Sequence, residues 1–301
     1  MGASPPSISA AVRRPLGDVH PPLSSRSEGG KGTMAVEKYR YSEMTWPEIR
    51  DVAAEDRVVV IPVGTIEDHG PHLPVDCDVR IIEAICARTC AAAPTETVLL
   101  PVLTHGYSPH HLDFPGPITI RWNVFVEHLL DITRSLVQHG FKRIIIANGH
   151  GSNMPLVNMA ARLTIVEHPD VLCCDYFYLY TPKGMEAIQS IRESAFPGGM
   201  AHACELETSI YLALAPDLVQ MDKAVPDFNQ PPSDYFYVDW FNGPGSMMEW
   251  WSTLTRNGTM GDPTLATAAK GETLLAAAAD ELLMVVGEMK HRQIRPRVDH
   301  H

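Results

Sequence analysis

The stretch Val58-Val59-Val60-Ile61-Pro62-Val63, followed at once by Gly64-Thr65-Ile66-Glu67-Asp68-His69-Gly70-Pro71-His72-Leu73-Pro74-Val75-Asp76-Cys77-Asp78, decides how this chain is read. The unbroken apolar run, rich in β-branched side chains, predicts a strand buried on both faces, since a strand with one wet face alternates apolar and polar residues. The Gly- and Pro-rich loop that follows cannot continue the strand. It carries a dense group of ionisable side chains instead. Open α/β sheets place ligands at the C-terminal ends of their strands, so this loop is the first candidate for chemistry.

Outward from it, apolar runs alternate with helical patterns. Arg80 to Ala93 reads as a helix with Ile81, Ile82, Ala84 and Ile85 on its apolar side, and Val98-Leu99-Leu100-Pro101-Val102 as a second strand. Trp122 to His139 is an amphipathic helix stopped by Gly140. Arg143-Ile144-Ile145-Ile146-Ala147 is a third strand, left through Asn148-Gly149-His150-Gly151-Ser152-Asn153. Asn153 is placed to cap the next helix, with Pro155 in its first turn. Val171 to Tyr178 reads as a fourth strand, Glu205 to Ala215 as a short helix and Leu265 to Met289 as a long Ala- and Leu-rich one. This order predicts an α/β fold around a mostly parallel sheet. Pro226 to Pro263 is aromatic-, Gly- and Pro-rich, an extended loop or interface arm; Trp240, Trp250 and Trp251 either enter a site from it or pack an oligomer interface.

No repeat or interdomain linker is visible, so residues 34–301 read as one domain. Residues 1–33 are rich in Ser, Pro, Gly and Arg, lack the roughly 7–15-residue apolar stretch of a secretory signal, and read as a disordered N-terminal extension. The chain carries 24 Lys and Arg against 36 Asp and Glu, a net charge of −12. That balance argues against non-specific nucleic-acid or anionic-membrane binding, and it says little about a small-molecule substrate, because a bound metal can reverse the local field. No apolar run approaches the roughly 20 residues of a membrane span. The 6 cysteines form no pair of CxxC units, which fits reduced thiols in a cytoplasmic protein.

Glu67 and His69 are two residues apart, so an extended backbone points both the same way, and the loop then returns a carboxylate at Asp78. Mixed oxygen and nitrogen ligands suit Zn²⁺, Mn²⁺ or Fe²⁺. His150 lies at the equivalent end of another strand, flanked by glycines that permit close backbone approach. In His202-Ala203-Cys204-Glu205-Leu206-Glu207, the two glutamates stand at a helix N-terminus, where the dipole favours carboxylates. There one of them completes a metal shell while His202 transfers protons.

Together these three segments resemble the creatininase (creatinine amidohydrolase) family. Its Glu-x-His followed nine residues later by Asp, its Asn-Gly-His, and its His-Ala-Gly-Glu-like segment ending Glu-Thr-Ser are matched at Glu67, His69, Asp78, His150, His202 and Glu207. His111 to Gly116 resembles its His and Phe-Pro-Gly loop, and Gly261-Asp262-Pro263 through Lys270-Gly271 its C-terminal signature. The resemblance implies a three-layer α/β/α sandwich, a two-metal site, with zinc first and manganese or iron as alternatives, and a closed homo-oligomer, often a hexamer. It implies that Asp78 bridges the ions, that Glu67 and His150 hold one, and that His69 holds the other with a further carboxylate. Creatininase takes that carboxylate from two residues after the Asn-Gly-His histidine, where this chain has Ser152. Glu205 is the expected replacement and Glu207 the runner-up. The catalytic assignments are His202 and Glu207.

Two close ions lower the pKa of a shared water and polarise a carbonyl. The implied activity is therefore hydrolysis of a cyclic amide or other C–N bond by a metal-bridging hydroxide, His202 passing a proton to the leaving atom. The alternatives are hydrolysis of a ring-ketone C–C bond, or a lyase or isomerase working through an enolate. Phe177 and Gly198 stand where the creatinine-hydrolysing member has tryptophans that flank its substrate, which points to a substrate other than creatinine.

Overall fold

The computed structural model describes residues 38–227 and 229–301; the expected extension at 1–33 lies outside them. The first helix, α1 (Trp46–Ala54), opens with a capping box in which Thr45 and Glu48 satisfy one another's backbone ends. It leads into β1 (Val58–Val63), buried along its whole length. Then come α2 (Cys77–Ala92), β2 (Thr97–Leu99), α3 (Trp122–Gln138), β3 (Arg143–Asn148), α4 (Met154–Glu167), β4 (Leu172–Phe177) and α5 (Pro182–Ile191). A short ribbon strand β5 (Met200–His202) precedes α6 (Glu205–Leu214) and the single turn α7 (Trp251–Leu254); β6 (Met260–Gly261) and the long α8 (Ala268–His291) close the chain.

The main sheet runs β2-β1-β3-β4 and every pairing in it is parallel. Alternate residues of its central strands go to opposite layers, as the two-residue period of a strand requires. Val58, Val60, Ile145 and Ala147 pack with Ile81, Ile82 and Ile85 of α2, Leu206 and Ile210 of α6, and Leu274, Leu275 and Leu282 of α8. Val59, Ile61, Val63, Ile144 and Ile146 pack with α1, with Phe125 and Leu129 of α3, and with Val157 and Ala160 of α4. The mostly parallel α/β sheet predicted from the apolar runs, and the three-layer sandwich that the resemblance implies, are therefore the observed ones. Among the described residues no helix is long and apolar enough to cross a membrane, and all six cysteines are free.

Several boundaries differ from expectation. The second strand stops at Leu99, because Pro101 has no N–H to give the ladder, and the pairing resumes only as an isolated bridge between Val63 and Leu103. The α2 helix begins at Cys77, which places Asp78 in its first turn rather than on a loop. Asn153 stands before α4 but its side chain does not cap it. Its Oδ1 accepts from the Tyr107 amide at 2.9 Å and its Nδ2 donates to the Gly64 carbonyl at 3.3 Å, tying together three strand-end loops.

Candidate metal centre

Sequence order and sheet order part company between β1 and β3. The chain leaves β1 for β2 on one side, then returns to place β3 on the other. That switch point opens a crevice at the strand C-termini. The Glu67–His69 loop enters it from β1 and the Asn148–Asn153 turn from β3. Gly149 is required there: a Cβ on it would stand 2.8 Å from Ile82 Cβ and 2.9 Å from the Asp78 carbonyl, so no larger residue lets β3 come so close to α2.

Glu67, His69, Asp78, His150, His202 and Glu207 are all buried in this crevice. Asp78 stands at the centre. Its Oδ2 lies 3.1 Å from His150 Nδ1, which is also 3.3 Å from Glu67 Oε2. Its Oδ1 lies 3.4 Å from His69 Nε2, which is 3.7 Å from Glu207 Oε1. Two groups of potential ligands thus share Asp78: Glu67 with His150, and His69 with Glu207.

Both groups fit a divalent cation. Glu67 Oε2, Asp78 Oδ2 and His69 Nε2 are buried without a hydrogen-bond partner, and such atoms are costly unless something else satisfies them. Ligand atoms held at metal-bond lengths near 2.0–2.2 Å stand about 3.0–3.6 Å from one another, close to the spacings seen. His150 Nε2 pairs with the Tyr107 carbonyl at 3.2 Å. Donation there fixes the tautomer and leaves Nδ1 as the ligating atom.

Without a cation the acids and imidazoles neutralise one another. Burial pushes the Glu67 carboxyl up to about 7. Burial opposes charge on His150 too, but Glu67 and Asp78 outweigh it and raise the ring to about 10. Asp78 is held below the usual carboxylate range against burial by His69 and His150.

Glu205 does not join this centre, and its expected role as a ligand is corrected. It is fully buried, with Lys270 Nζ donating to Oε1 at 2.6 Å and the amides of Glu193 and Ser194 donating at 3.1 and 2.9 Å. The reason is helical geometry. Two residues along a helix turn the side chain by about 200°, so Glu205 and Glu207 cannot face the same way, and it is Glu207 that faces His69. Ser152 pairs with His110, Oγ to Nε2 at 2.9 Å.

Sequence reading missed Asp68. Its Oδ1 holds His111 Nδ1 at 2.7 Å and its carbonyl oxygen holds His202 Nε2 at 2.7 Å. Asp68 thereby orients two histidines whose remaining nitrogens turn toward Glu67, His111 Nε2 at 3.6 Å and His202 Nδ1 at 3.7 Å. Burial, reinforced by His69, keeps His202 well below its ordinary pKa; burial and His110 do the same for His111. Gly258 makes room for Asp68: at φ +84°, a Cβ there would lie 2.4 Å from Asp68 Oδ2. The only sequence signal for Asp68 was its position between Glu67 and His69. Of the three tryptophans in the arm, Trp251 reaches the site histidines, Trp240 packs on Phe177 and Tyr178 in the interior, and Trp250 is exposed.

The family model "Creatininase: Creatinine amidohydrolase" matches residues 42–286. The creatinine amidohydrolase of Pseudomonas putida is 29% identical over 262 residues, covering 82% of this chain and 95% of the relative. The mycofactocin precursor peptide peptidase of Mycobacterium tuberculosis is 31% identical over 232 residues, covering 74% of this chain and 82% of the relative. A solved structure described as "Creatininase Mn" superimposes with a TM-score of 0.72 at 28% identity, over 85% of this chain and 100% of that one.

Proposed function

The chain belongs to the creatininase family, and from that premise we propose that it is a metal-dependent hydrolase that cleaves a C–N bond of a small amide through a two-cation centre. The observation that carries this reading is Asp78, whose two oxygens face two separate sets of potential ligands. Glu67 and His150 would hold one ion, His69 and Glu207 the other, and Asp78 both. Zinc or manganese suits this donor set. Bound there, divalent ions supply Lewis acidity toward a carbonyl and lower the pKa of water.

The chain's own groups do the rest. His202 is neutral, anchored through Nε2, and presents Nδ1 as the atom that takes a proton and returns it to the departing nitrogen. Asp68 fixes its orientation and that of His111. The two relatives are named for a cyclic amide and for a peptide, and both names describe C–N cleavage. We also infer a homo-oligomer. Tyr235, Phe236, Met247, Met248 and Trp250 leave large apolar side chains exposed along the 226–263 arm, and light scattering of the purified protein tests this.

Elemental analysis of the purified protein, followed by assays on lactams, formamides and short peptides, tests the hydrolase reading. Bound divalent metal and turnover that disappears in Asp78→Ala are expected. Protein that binds no divalent metal, or an Asp78→Ala variant with undiminished activity, sinks it.

A further inference from the structure

The turn α7 sits against the metal centre in a way the reaction described above does not use. Ser252 Oγ donates to the Asp113 carboxylate on the loop that carries His111. Downstream, Asp227 accepts from the Thr255 hydroxyl at 3.0 Å and from the Arg256 amide at 2.7 Å. Leu254 is buried beneath the turn. Pinned at both ends, α7 lays Trp251 on the site histidines. The indole stacks on His111 with centroids 4.7 Å apart and planes at 25°. It meets His202 edge-on at 5.1 Å and His110 at 5.8 Å.

Its Nε1–H is buried and has no acceptor. A buried indole N–H normally finds one. Trp240 Nε1 is unpaired too, but that ring packs among Phe177 and Tyr178, away from the histidines. Among the described residues, Trp251 alone of the tryptophans combines an unpaired donor with contact to His111 and His202, the two rings that turn a nitrogen toward Glu67.

We propose that Trp251 is the substrate-recognition residue of this centre, its indole forming one apolar wall and its Nε1–H donating to an oxygen of the bound substrate. The substrate class is then an amide that carries a carbonyl or carboxylate oxygen within reach of the indole. This rests on the hydrolase reading and deepens it. The wall comes from the 226–263 arm, whereas the half-buried Phe177 packs against Trp240.

The test uses zinc-loaded protein with acetohydroxamate, a small planar oxygen acceptor, as the probe. Wild type, Trp251→Phe and Trp251→Ala are compared by metal analysis and by calorimetric titration. Full metal content in all three is expected, with affinity weakened about fivefold to tenfold in Trp251→Phe, which keeps a ring but loses the donor, and further in Trp251→Ala. On whichever amide the wild type hydrolyses, KM rises in the same order with kcat little changed. Failure of the wild type to bind zinc or any other divalent metal refutes the hydrolase reading and the proposal with it. With zinc bound, three outcomes overturn the proposal alone: no binding of the probe to wild type, Trp251→Phe within twofold of wild type, or weakening confined to Trp251→Ala.

Discussion

Replacing Glu205 by alanine separates a structural carboxylate from a ligating one. The substitution removes an acceptor from Lys270 Nζ and from two backbone amides in a fully buried place. Breaking a buried ion pair costs about 3–5 kcal/mol. Lys270, however, is 12% exposed and keeps the Glu193 carboxylate at 2.7 Å and the Leu265 carbonyl at 2.8 Å, which offsets much of its own penalty. The amides of 193 and 194 are left to whatever water can enter, at about 1 kcal/mol or more each. A loss of about 3 kcal/mol is expected, and less for Glu205→Gln, which can still accept from the amides. Urea unfolding in the presence of a chelator measures it free of metal linkage. Glu207→Gln is the mirror experiment, with near-native stability under chelation but one metal equivalent lost. A Glu205→Ala protein with a native urea midpoint and one missing metal would refute the assignment of both carboxylates.

Three further outcomes follow from the same geometry. Substituting His202 by Gln should lower kcat about 10²–10⁴-fold, as for other general acid–base residues, with metal content unchanged; loss of metal instead would make His202 a ligand. His150 is protonated at pH 7 in the metal-free centre, being raised to about 10, so metal uptake must expel that proton. Affinity should rise with pH through neutrality, and titration in buffers of different ionisation enthalpy should show proton release. Because the folded pKa is the raised one, the same ring stabilises metal-free protein fully below about pH 6.5 and loses that contribution as pH climbs toward 10. Gly149→Ala should displace α2 or β3, since its Cβ meets Ile82 and the Asp78 carbonyl below 3.0 Å; reduced metal occupancy in a folded protein is expected, and unchanged occupancy would mean the crevice is looser than drawn.

The layers were legible because β1 and β3 are unbroken apolar runs, and the surrounding helices repeat apolar residues at helical spacing. Where the sequence misled, local geometry explains it. Pro101 ended β2 early, and Asn153 spent its side chain on neighbouring loops rather than on the helix it precedes. The ribbon of β5 and β6 is too short to show any period. Glu67, His69, Asp78 and His150 announced themselves through residue type and spacing at strand ends. Choosing between Glu205 and Glu207 needed the angular phase of α6. Asp68 and Trp251 meet partners distant in the chain, His111 and His202, and no linear spacing encodes such contacts.

The groups that gather around Asp78 come from separate stretches, the first at Glu67 and the last at Glu207. Closing loops of that span carries an entropic cost, and non-local contacts form late in folding. The two aliphatic layers can condense around β1 and β3 while this pocket is still open. A cation arriving afterwards would then work as a clasp. During synthesis, the set of Glu67, Asp78 and His150 is available to a cation once β3 has followed β1, whereas the set of His69, Asp78 and Glu207 waits for α6.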